Sequence, residues 1–329
     1  MSGGRIGSLA GRGQGRRVNG KFVVSAAMAA QLMLSAAMAG EPGSPVPLAG
    51  GLDPLASLPP FEALPAGAAG GYDIATLGHH VSSVAWLTAG VYAGTLAFGV
   101  LDWNWGTTSF NFHDEGFFGR GTSHGGTDKL GHAFSTYLLS DFFTHAIRRR
   151  AADPEWAELS GAVLGMGVMT TVEVLDGFSE HGLSWEDLVV DALGAGFSYL
   201  RNTVPGLRDK VDFRVEWMPS GNVEWYRPHA DYMGQKYLLA FKLAGFDRLE
   251  QTPLRYVEIH AGYFARGFHR EDRLDGESKR REPYIGIGLN LQELLFGWPA
   301  VRQTTAGRIG RHTLQYVQVP YTYIAHPYD

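Results

Sequence analysis

The stretch Thr127-Asp128-Lys129-Leu130-Gly131-His132 decides which fold the sequence predicts for the centre of this chain of 329 residues. It opens an apolar segment that the pattern predicts as a helix from Asp128 to about Arg149. Asp128 and His132 are four residues apart and therefore share one face of that helix. A charge on a buried face is costly unless it is paired, protonated or bound to a cation. The stretch therefore predicts a polar site inside a helical bundle.

Two further stretches place acids within apolar helical segments. A third helix, opening at Asp153-Pro154-Glu155 and ending at Gly177, carries Glu173 and Asp176 three residues apart. A fourth helix opens at Ser184 and reaches about Arg201. The acids on one stripe of this fourth helix are Asp187 and Asp191.

If these three helical faces point inward, five carboxylates meet one histidine and one lysine. Carboxylates that lie so close together cannot all stay ionised unless a positive charge compensates them. Either a divalent cation sits among them, or some acids are protonated, or the faces do not converge. The residues expected to carry chemistry are His132, Glu173 and Asp191, and those expected to contribute to binding are Asp128, Lys129, Asp176, Ser184 and Asp187.

Simpler structural interpretations remain open for three of these acids. Asp187 completes a Ser-x-x-Asp capping box and so fits a helix cap. Asp128 lies in a first turn, where an acid favours the helix dipole. Asp176 next to Gly177 fits a solvated helix end. The histidine pair at 79–80 and the run His113-Asp114-Glu115 are loop residues that fit either metal ligands or ordinary surface positions.

The sequence contains none of the common catalytic signatures. It has no glycine-rich phosphate loop, no Gly-x-Ser-x-Gly elbow and no His-Glu-x-x-His pair. It has no cysteine, which excludes thiolate ligands and disulfides. Carboxylates with one imidazole suit Mg²⁺, Mn²⁺ or Ca²⁺ better than zinc. The cofactor stays unknown at this point, with one of these divalent cations as the open alternative.

The N-terminus predicts export. Five basic residues precede an apolar run from Phe22 to Ala39, which closes on Ala37-Met38-Ala39. This order is typical of a secretory signal peptide, and an uncleaved membrane anchor is the alternative. Residues 40–77 are rich in proline, glycine and alanine and predict a flexible linker.

The rest of the chain predicts helices first and strands afterwards. An uncharged run predicts a first helix from Gly78 to Leu101, long enough to cross a bilayer or to fill a bundle. After Pro205 the pattern has a period of two, which predicts antiparallel strands with one buried face. These strands are 211–217, 255–264 and 284–291, with a strand-like segment at 313–324, a helix at 232–243 and a charged hairpin loop at 269–282.

These motifs also resemble those of a known group of bacterial proteins. Asp128-Lys129-x-x-His132, the run from Glu173 to Ser179, and Ser184-x-x-Asp187-x-x-x-Asp191 are similar to the YfiM-like family of periplasmic or lipoprotein-type proteins. The same order of motifs more distantly resembles the VanZ-like membrane proteins. The resemblance covers roughly residues 126–200 and implies an envelope location without an established activity. Asp191 departs from the asparagine expected there, and no cysteine is present to carry a lipid.

The sequence thus predicts an α+β protein, a membrane-associated four-helix bundle followed by a small antiparallel β region. The predicted divisions are residues 1–39 as signal peptide, 40–77 as linker, 78–205 as bundle and 206–329 as C-terminal region.

Two classes of function are open for this exported protein on the periplasmic side of the cell envelope. One is a structural or lipid- or cation-binding protein, and the other is a membrane-associated, metal-dependent hydrolase of a lipid or cell-wall precursor. The expected partner is a membrane lipid or envelope component. The net charge of −5 argues against nucleic acid, and the oligomeric state is open.

Overall fold

The computed structural model describes residues 71–221, 223, 227–268, 276 and 278–327. The predicted signal peptide, and the predicted linker up to residue 70, lie outside the described residues. The described part combines helices with one antiparallel sheet of five strands, which confirms the α+β class. The division into domains stays a prediction.

The helical half precedes the sheet in the chain. Its helices are α1 Ile74–Ser83, α2 Ala85–Asp102, α3 Thr127–Arg150, α4 Ala157–Asp176, α5 Trp185–Thr203 and the short α6 Leu207–Lys210. The three longest of these helices pack against one another and form the core of the bundle. They are α3, α4 and α5. Their bounds lie within a few residues of the predicted ones.

The predicted single helix from Gly78 to Leu101 is wrong, because the chain breaks at Val84 into α1 and α2, which are bent by 79°. Just before the break, the hydroxyls of Ser82 and Ser83 donate to carbonyl oxygens three residues earlier. Such local bonds compete with the helical ladder and bend helices. The bent pair lies beside the three-helix core, so the predicted four-helix bundle is not confirmed.

Glycines at two crossings let the three core helices approach closely. A Cβ at Gly194 would overlap the carbonyl oxygen of Ala133 on α3, and one at Gly165 would overlap the backbone of Ser140. An apolar cluster at the far end of α3 holds the helices together there, with Phe143 and Ile147 fully buried. The close crossings also bring polar side chains of different helices within reach of one another.

The start of α4 differs slightly from the prediction. The helix begins at Ala157, after a turn at Asp153-Pro154-Glu155, because Trp156 has a left-handed backbone with a φ of 68°. The buried first-turn acid Glu158 forms an ion pair with Arg148 at the end of α3.

The sheet is a plain antiparallel meander in the order β1-β2-β3-β4-β5. Its strands are β1 Val211–Trp217, β2 Gln235–Lys242, β3 Val257–Arg266, β4 Arg280–Leu289 and β5 Tyr323–Pro327. Short helices fill the connections, with α7 Asp247–Glu250 before β3 and α8 Leu291–Phe296, α9 Pro299–Arg302 and α10 Thr305–Thr313 before β5. The 3₁₀ turns are Leu243–Gly245 and Pro253–Tyr256.

Two predictions for this half are wrong. The helix predicted at 232–243 is instead strand β2, which is paired on both sides by β1 and β3. A central strand covered on both faces has apolar residues at consecutive positions, and that pattern imitates a helix. The strand predicted at 313–324 is mostly a turn after α10, and β5 begins only at Tyr323.

The period of two is confirmed, but the buried face of β3 and β4 is the polar one. On β3, Glu258 and His260 are fully buried while Ile259 is 43% exposed. On β4, Ile285 and Ile287 are exposed, and Gly286 and Gly288 are buried. The sheet therefore carries charged and small residues inside and isoleucines outside.

The buried face of the sheet holds a charge network that we call the sheet network, consisting of Arg201, Asp212, Arg214, Lys242 and Glu258. The carboxylate of Asp212 contacts Arg201 and Arg214 at 2.7 Å and Lys242 at 2.8 Å. Arg214 also binds both oxygens of Glu258, at 2.7 and 3.0 Å. Each acid of the network is thus paired with at least one cation.

The first strands of the sheet pack against the bundle through aromatic residues. Phe134 and Tyr137 of α3 form one buried cluster with Tyr237 of β2 and Tyr316. Tyr316 also donates a hydrogen bond to Asp141 of α3. These contacts fix the middle of α3 relative to the sheet.

One described helix, α4, is long and apolar enough to cross a membrane by length and composition. The pair α1 and α2 would pass the same test as one broken span. In α4, 56% of the most apolar window is buried within the protein, so the criterion is weak support for a span.

Candidate functional site

The first turn of α3 places Lys129 at the centre of a group of acids. Its ammonium forms ion pairs with Glu115, with Asp128 at 3.1 Å and with Asp187 of α5 at 2.7 Å. The lysine is 1% exposed, so these ion pairs are made largely away from water. The predicted binding residues Asp128, Lys129 and Asp187 therefore meet in one place.

One turn further along α3, His132 faces the other two core helices. Its Nδ1 lies 3.4 Å from Oε1 of Glu173 on α4 and 3.5 Å from Oδ1 of Asp191 on α5. Its Nε2 lies 3.9 Å from Oδ1 of Asp187. One ligand atom from each of His132, Glu173 and Asp191 lies within 4.8 Å of the others. The three faces therefore converge, whereas the chemical roles of these residues stay predictions.

The group around Lys129 and the group around His132 together contain five carboxylates, which we call the acid cluster. They are Glu115, Asp128, Glu173, Asp187 and Asp191. Asp187 joins its two halves, because one oxygen contacts Lys129 and the other faces His132.

Neighbouring polar groups hold two of the acids in place. The hydroxyl of Thr136 donates to Oδ1 of Asp191 at 2.6 Å. The backbone N–H of Ser184 donates to Oε2 of Glu173 at 3.3 Å. One oxygen of each acid is thus fixed by the protein, and the opposite oxygen of Glu173 faces His132.

Ser184 is a helix cap rather than a member of the cluster. Its hydroxyl accepts a hydrogen bond from the N–H of Asp187 at 3.2 Å and donates to Glu186 at 3.0 Å. The carboxylate of Asp187 pairs with Lys129, so the capping interpretation holds for the serine and not for the acid.

Asp176 is not a solvated helix end, because it is half-buried and accepts a hydrogen bond from the indole N–H of Trp105 at 2.6 Å. It lies outside both groups of converging acids. Burial raises its pKa, and the hydrogen bond from Trp105 opposes that shift.

Several polar atoms of the acid cluster are buried without a hydrogen-bond partner among the described residues. These atoms are Oδ1 of Asp128, Nδ1 of His132, Oδ1 of Asp187 and Oδ2 of Asp191. Asp191 is fully buried and Asp187 is 4% exposed. Buried polar atoms are normally satisfied, so these three acceptor oxygens can each take a further donor or contact a cation.

The charges of the cluster change the pKa values of its members. Burial opposes the charge on His132, but the nearby acids Asp191, Asp187 and Glu173 outweigh it and raise the pKa to about 10. Because the shortest contact of His132 with Asp191 is 3.5 Å and poorly aligned, Asp191 acts as a charge neighbour rather than a good acceptor. Burial, with the charges of Asp187, Asp176 and Asp191, raises the pKa of Glu173 to about 8 although His132 opposes the shift.

The lysine-centred half behaves as an ion-pair group. Burial opposes the charge on Lys129, but Asp128 and Asp187 outweigh it and raise the pKa above its usual value. Burial raises the pKa of Glu115, and the hydrogen bond from Lys129 opposes this shift. An ammonium therefore occupies the centre of this half.

Sequence reasoning did not place two members in the site. The run His113-Asp114-Glu115 was left open between metal ligands and surface residues, because no periodicity in an irregular loop shows that the side chain of Glu115 faces Lys129. Thr136 is an ordinary helical threonine by sequence, although its position one turn after His132 was a usable signal. The histidine pair is not part of the site, because His80 is buried and contacts Ser160 and the carbonyl of Asp153.

The comparisons with known proteins agree with the location of these motifs in the chain. Residues 114–203 match the model of a family described as "Predicted periplasmic lipoprotein (DUF2279)". This range contains all five acids of the cluster and both of its cationic residues. No curated protein and no solved structure matches the chain. The match supports an envelope or periplasmic location, and none of the 329 residues is a cysteine that a lipid could modify.

Proposed function

We propose that this chain is an exported envelope protein that binds one divalent cation between α3, α4 and α5. The ligands are His132, Glu173 and Asp191, with Asp187 beside them. The observation that carries the proposal is the unpartnered Oδ2 of Asp191, a fully buried carboxylate without a donor to this oxygen in the described part of the chain. A lone acceptor of this kind is costly unless a cation compensates it.

The balance of charges supports a cation. Among the described residues, the five carboxylates of the acid cluster face Lys129 and His132 as positive groups. A divalent ion bound by His132 would displace the proton of its ring, so that a double charge replaces a single one. The competing way to reduce the negative charge is protonation of Glu173, whose pKa burial raises to about 8. Protonation of Glu173 leaves Asp191 unchanged, whereas a divalent ion held by His132, Glu173 and Asp191 compensates both acids.

The geometry supports one ion rather than two. Metal–oxygen bonds of about 2.0–2.6 Å allow donors on opposite sides of one ion to lie about 4–5 Å apart. The donor atoms of the histidine group all lie within 4.8 Å of one another, which fits this limit. In the other group the ammonium of Lys129 already takes the central position.

Mn²⁺ is the best first probe, because it accepts carboxylate oxygens and imidazole nitrogen together. Ca²⁺ and Mg²⁺ fit the carboxylates but seldom take imidazole. We therefore expect the protein to prefer Mn²⁺ and to bind Ca²⁺ or Mg²⁺ more weakly.

The test is elemental analysis together with thermal unfolding in Mn²⁺, for the wild type and for Glu173→Gln and Asp191→Asn. At a free ion concentration a hundred times Kd, bound Mn²⁺ adds about 2.7 kcal/mol to the free energy of unfolding. We expect this gain in the wild type and its loss in both variants. Glu158→Gln is the matched control, because Glu158 is a buried acid of the same helix that pairs with Arg148. A wild type that contains no metal and shows no gain in Mn²⁺ would refute the proposal.

The partial exposure of His132 favours a second candidate, a membrane-associated metal-dependent hydrolase. Its side chain is 23% exposed, whereas those of Glu173 and Asp191 are at most 2% exposed. A partly open histidine can exchange protons with a substrate as a general acid or base, and the two acids would hold a metal or activate water. Metal-loaded wild type and His132→Gln, incubated with phospholipid vesicles and followed by mass spectrometry, decide between the two functions. Hydrolysis products from the wild type alone support the hydrolase.

We also propose that the protein associates with a membrane and that its motifs are related to those of YfiM-like and, more distantly, VanZ-like proteins. The matched range 114–203 contains the motif-bearing residues 126–200 and supports a predicted periplasmic family, without identifying either of these two groups. The length and apolar composition of α4 support membrane association only weakly. A membrane lipid or another envelope component remains the proposed partner.

A further inference from the structure

A cavity of about 220 Å³ lies on the face of the sheet that carries the sheet network. Glu216 lines it from β1 and lies on the same side of the strand as Arg214, two residues earlier. Six aromatic or charged side chains line the space, which we call the aromatic cavity. They are Glu216, Lys236, Phe264, Tyr284, Tyr321 and Tyr323. They come from all five strands and from the turn before β5, and none belongs to the acid cluster.

Two polar groups at the base of the aromatic cavity lack partners. Glu216 and Tyr284 are each only 2% exposed. Among the described residues, Oε2 of Glu216 and the hydroxyl of Tyr284 have no hydrogen-bond partner. The hydroxyl of Tyr323 lies near both, but its hydrogen bond is with Lys236 at 3.2 Å. Because buried polar atoms are normally satisfied, these two groups favour a ligand that brings hydroxyls.

The charge inside the aromatic cavity is balanced. The ammonium of Lys236 pairs with Oε1 of Glu216 at 2.9 Å and donates to the hydroxyl of Tyr323. An ammonium has three N–H donors, so one of them remains for an oxygen of a ligand. A further charge would have no partner here, and a charge without a partner is costly to bury. The cavity therefore favours a neutral ligand.

Aromatic rings form the walls of the cavity. The rings of Tyr284 and Tyr323 are nearly parallel, with an angle of 17° between their planes. Lys236 lies over two rings, with its Nζ 5.5 Å from the centre of Phe264 and 5.7 Å from that of Tyr323. A Cβ at Gly262 of β3 would overlap the ring of Tyr284. This glycine therefore lets the ring of Tyr284 lie close against the sheet.

Tyr321 stands at the opening of the cavity. It is 87% exposed although it lines the space. Its backbone has a φ of 63°, a left-handed conformation that bulky residues rarely adopt. Strained residues of this kind cluster at ligand-binding sites. The strain keeps an aromatic ring beside the opening, where a ligand can contact it.

These features together fit a sugar ring. Sugar hydroxyls donate to a carboxylate and accept from an ammonium, as Glu216 and Lys236 require. The C–H groups of the ring are slightly positive and rest well on the negative face of an aromatic ring. An aromatic ligand without hydroxyls would leave the carboxylate oxygen and the Tyr284 hydroxyl without partners. The volume lies below the 300–1,000 Å³ or so of sites for drug-sized ligands, which limits the ligand to about one ring.

We propose that the aromatic cavity binds one neutral sugar ring, either as a free monosaccharide or as the terminal unit of a glycan. Glu216, Lys236 and Tyr284 hold its hydroxyls, and the exposed ring of Tyr321 covers its apolar face. This binding site goes beyond the proposed cation site and does not depend on it, because the two share no residue.

The test is saturation-transfer NMR of the full-length protein with glucose, galactose, N-acetylglucosamine and tetramethylammonium. We expect saturation of at least one sugar and none of tetramethylammonium, because the ammonium of Lys236 repels a second cation. The disaccharide N,N′-diacetylchitobiose separates the two sources of the ring. Tighter binding of the disaccharide supports the end of a glycan, and tighter binding of a monosaccharide supports a free sugar. Saturation of no sugar, or of tetramethylammonium as strongly as of the sugars, would overturn the proposal.

Tyr321→Ala should weaken the binding of the sugar about tenfold, because it removes the ring at the opening. Its high exposure means that the change leaves the fold intact. Phe112→Ala is the matched control, because Phe112 is 76% exposed and lies outside the cavity. Equal affinities of the two variants for the sugar would reject the aromatic cavity as the binding site.

Tyr284→Phe tests the base of the cavity. It should weaken sugar binding about fivefold while leaving the free energy of unfolding unchanged, because the lost hydroxyl has no partner among the described residues. A purely structural hydroxyl would give the opposite result, a loss of stability with unchanged affinity for the sugar. Tyr284→Phe should bind Mn²⁺ like the wild type, so the sugar site and the cation site can fail separately.

Discussion

The acid cluster of the bundle and the sheet network both bury charges, but their balance differs. In the sheet network, the two acids Asp212 and Glu258 face three cations. In the acid cluster, five carboxylates face one lysine and one histidine. The comparison teaches that a buried charge is by itself no sign of function. An excess of one sign, with acceptors left unpartnered, is the better indication.

The two regions also differ in the kind of buried atom that lacks a hydrogen-bond partner. Among the described residues, the sheet network leaves nitrogens of Arg201 and Arg214 without hydrogen-bond partners, whereas the acid cluster leaves three carboxylate oxygens. Burial opposes the charge of Asp212, but Lys242, Arg214 and Arg201 outweigh it and hold the pKa of Asp212 well below its usual value. The acids of the sheet network are all paired with cations, whereas the acid cluster keeps carboxylate oxygens that a positive ligand could contact.

The largest effect is expected from Arg214→Met in the sheet network. It leaves Glu258 buried without its arginine and with His260 at 3.1 Å beside it, and breaking a buried pair in this way costs about 3–5 kcal/mol. Urea unfolding measures this loss, with Arg280→Met as control because its pair with Glu282 is exposed and worth at most about 1 kcal/mol. Equal losses in the two variants would show that the sheet network is not structural.

Lys129→Met should have the next largest effect, a loss of about 3 kcal/mol in cation-free buffer. It removes the ammonium that Asp128, Asp187 and Glu115 share. Millimolar Mn²⁺ or Ca²⁺ should restore part of the loss, because the acid cluster can accept an ion in place of the ammonium. The same ions should not rescue Arg214→Met. Rescue of both variants, or of neither, would contradict the distinction between the two regions.

A pH effect of about 1–3 kcal/mol is expected from His145, which lies near the end of α3 beside Asp141 and Arg208. Burial lowers the pKa of His145 to about 4, although the charge of Asp141 opposes this shift. Its Nδ1 contacts the carbonyl of Asp141 at 2.8 Å and its Nε2 contacts Arg208 at 3.3 Å, which fits a neutral ring. Arg148 and His312 also face it.

The sign follows from proton uptake. Above pH 6.5 neither state protonates this histidine, and between pH 6.5 and 4 only the unfolded state does. The free energy of unfolding should therefore fall as the pH is lowered through this range, by about 1.4 kcal/mol per pKa unit at most. Urea titrations of the wild type and His145→Gln at several pH values measure the difference. Parallel pH profiles for the two proteins would refute the assignment to His145.

The smallest effect is expected from Asp191→Asn in cation-free buffer. Removing one of several like charges should leave the free energy of unfolding unchanged or raise it by up to about 1 kcal/mol. Asp212→Asn is the matched comparison, because Asp212 is equally buried but contacts three cations, and it should lose about 3 kcal/mol. A loss for Asp191→Asn as large as that for Asp212→Asn would mean that the acid cluster is balanced after all.

The comparison also shows what could be predicted from the sequence. The helices carrying Lys129, Glu173 and Asp187 were predicted to within a few residues, because helical periodicity and capping are local properties. The break at Val84 was missed, since a uniformly apolar run does not reveal serine hydroxyls that bond back to the helix. Strand β2 was missed because burial on both faces removes the alternation that marks a strand.

The sequence by itself determined that polar residues, including His132, Lys129 and several acids, lie within three apolar helices. It also determined that side chains of β3 and β4 alternate between two faces of a sheet. Only the tertiary structure decided that Lys129 meets Asp187, which is 58 residues away. It also decided that Glu115 joins from a loop, that Asp191 keeps an oxygen without a partner, and that the sheet buries its charged face. The physical reason is that the period of a helix or strand follows from bonds between near neighbours. The pairing of buried charges depends instead on how distant segments pack.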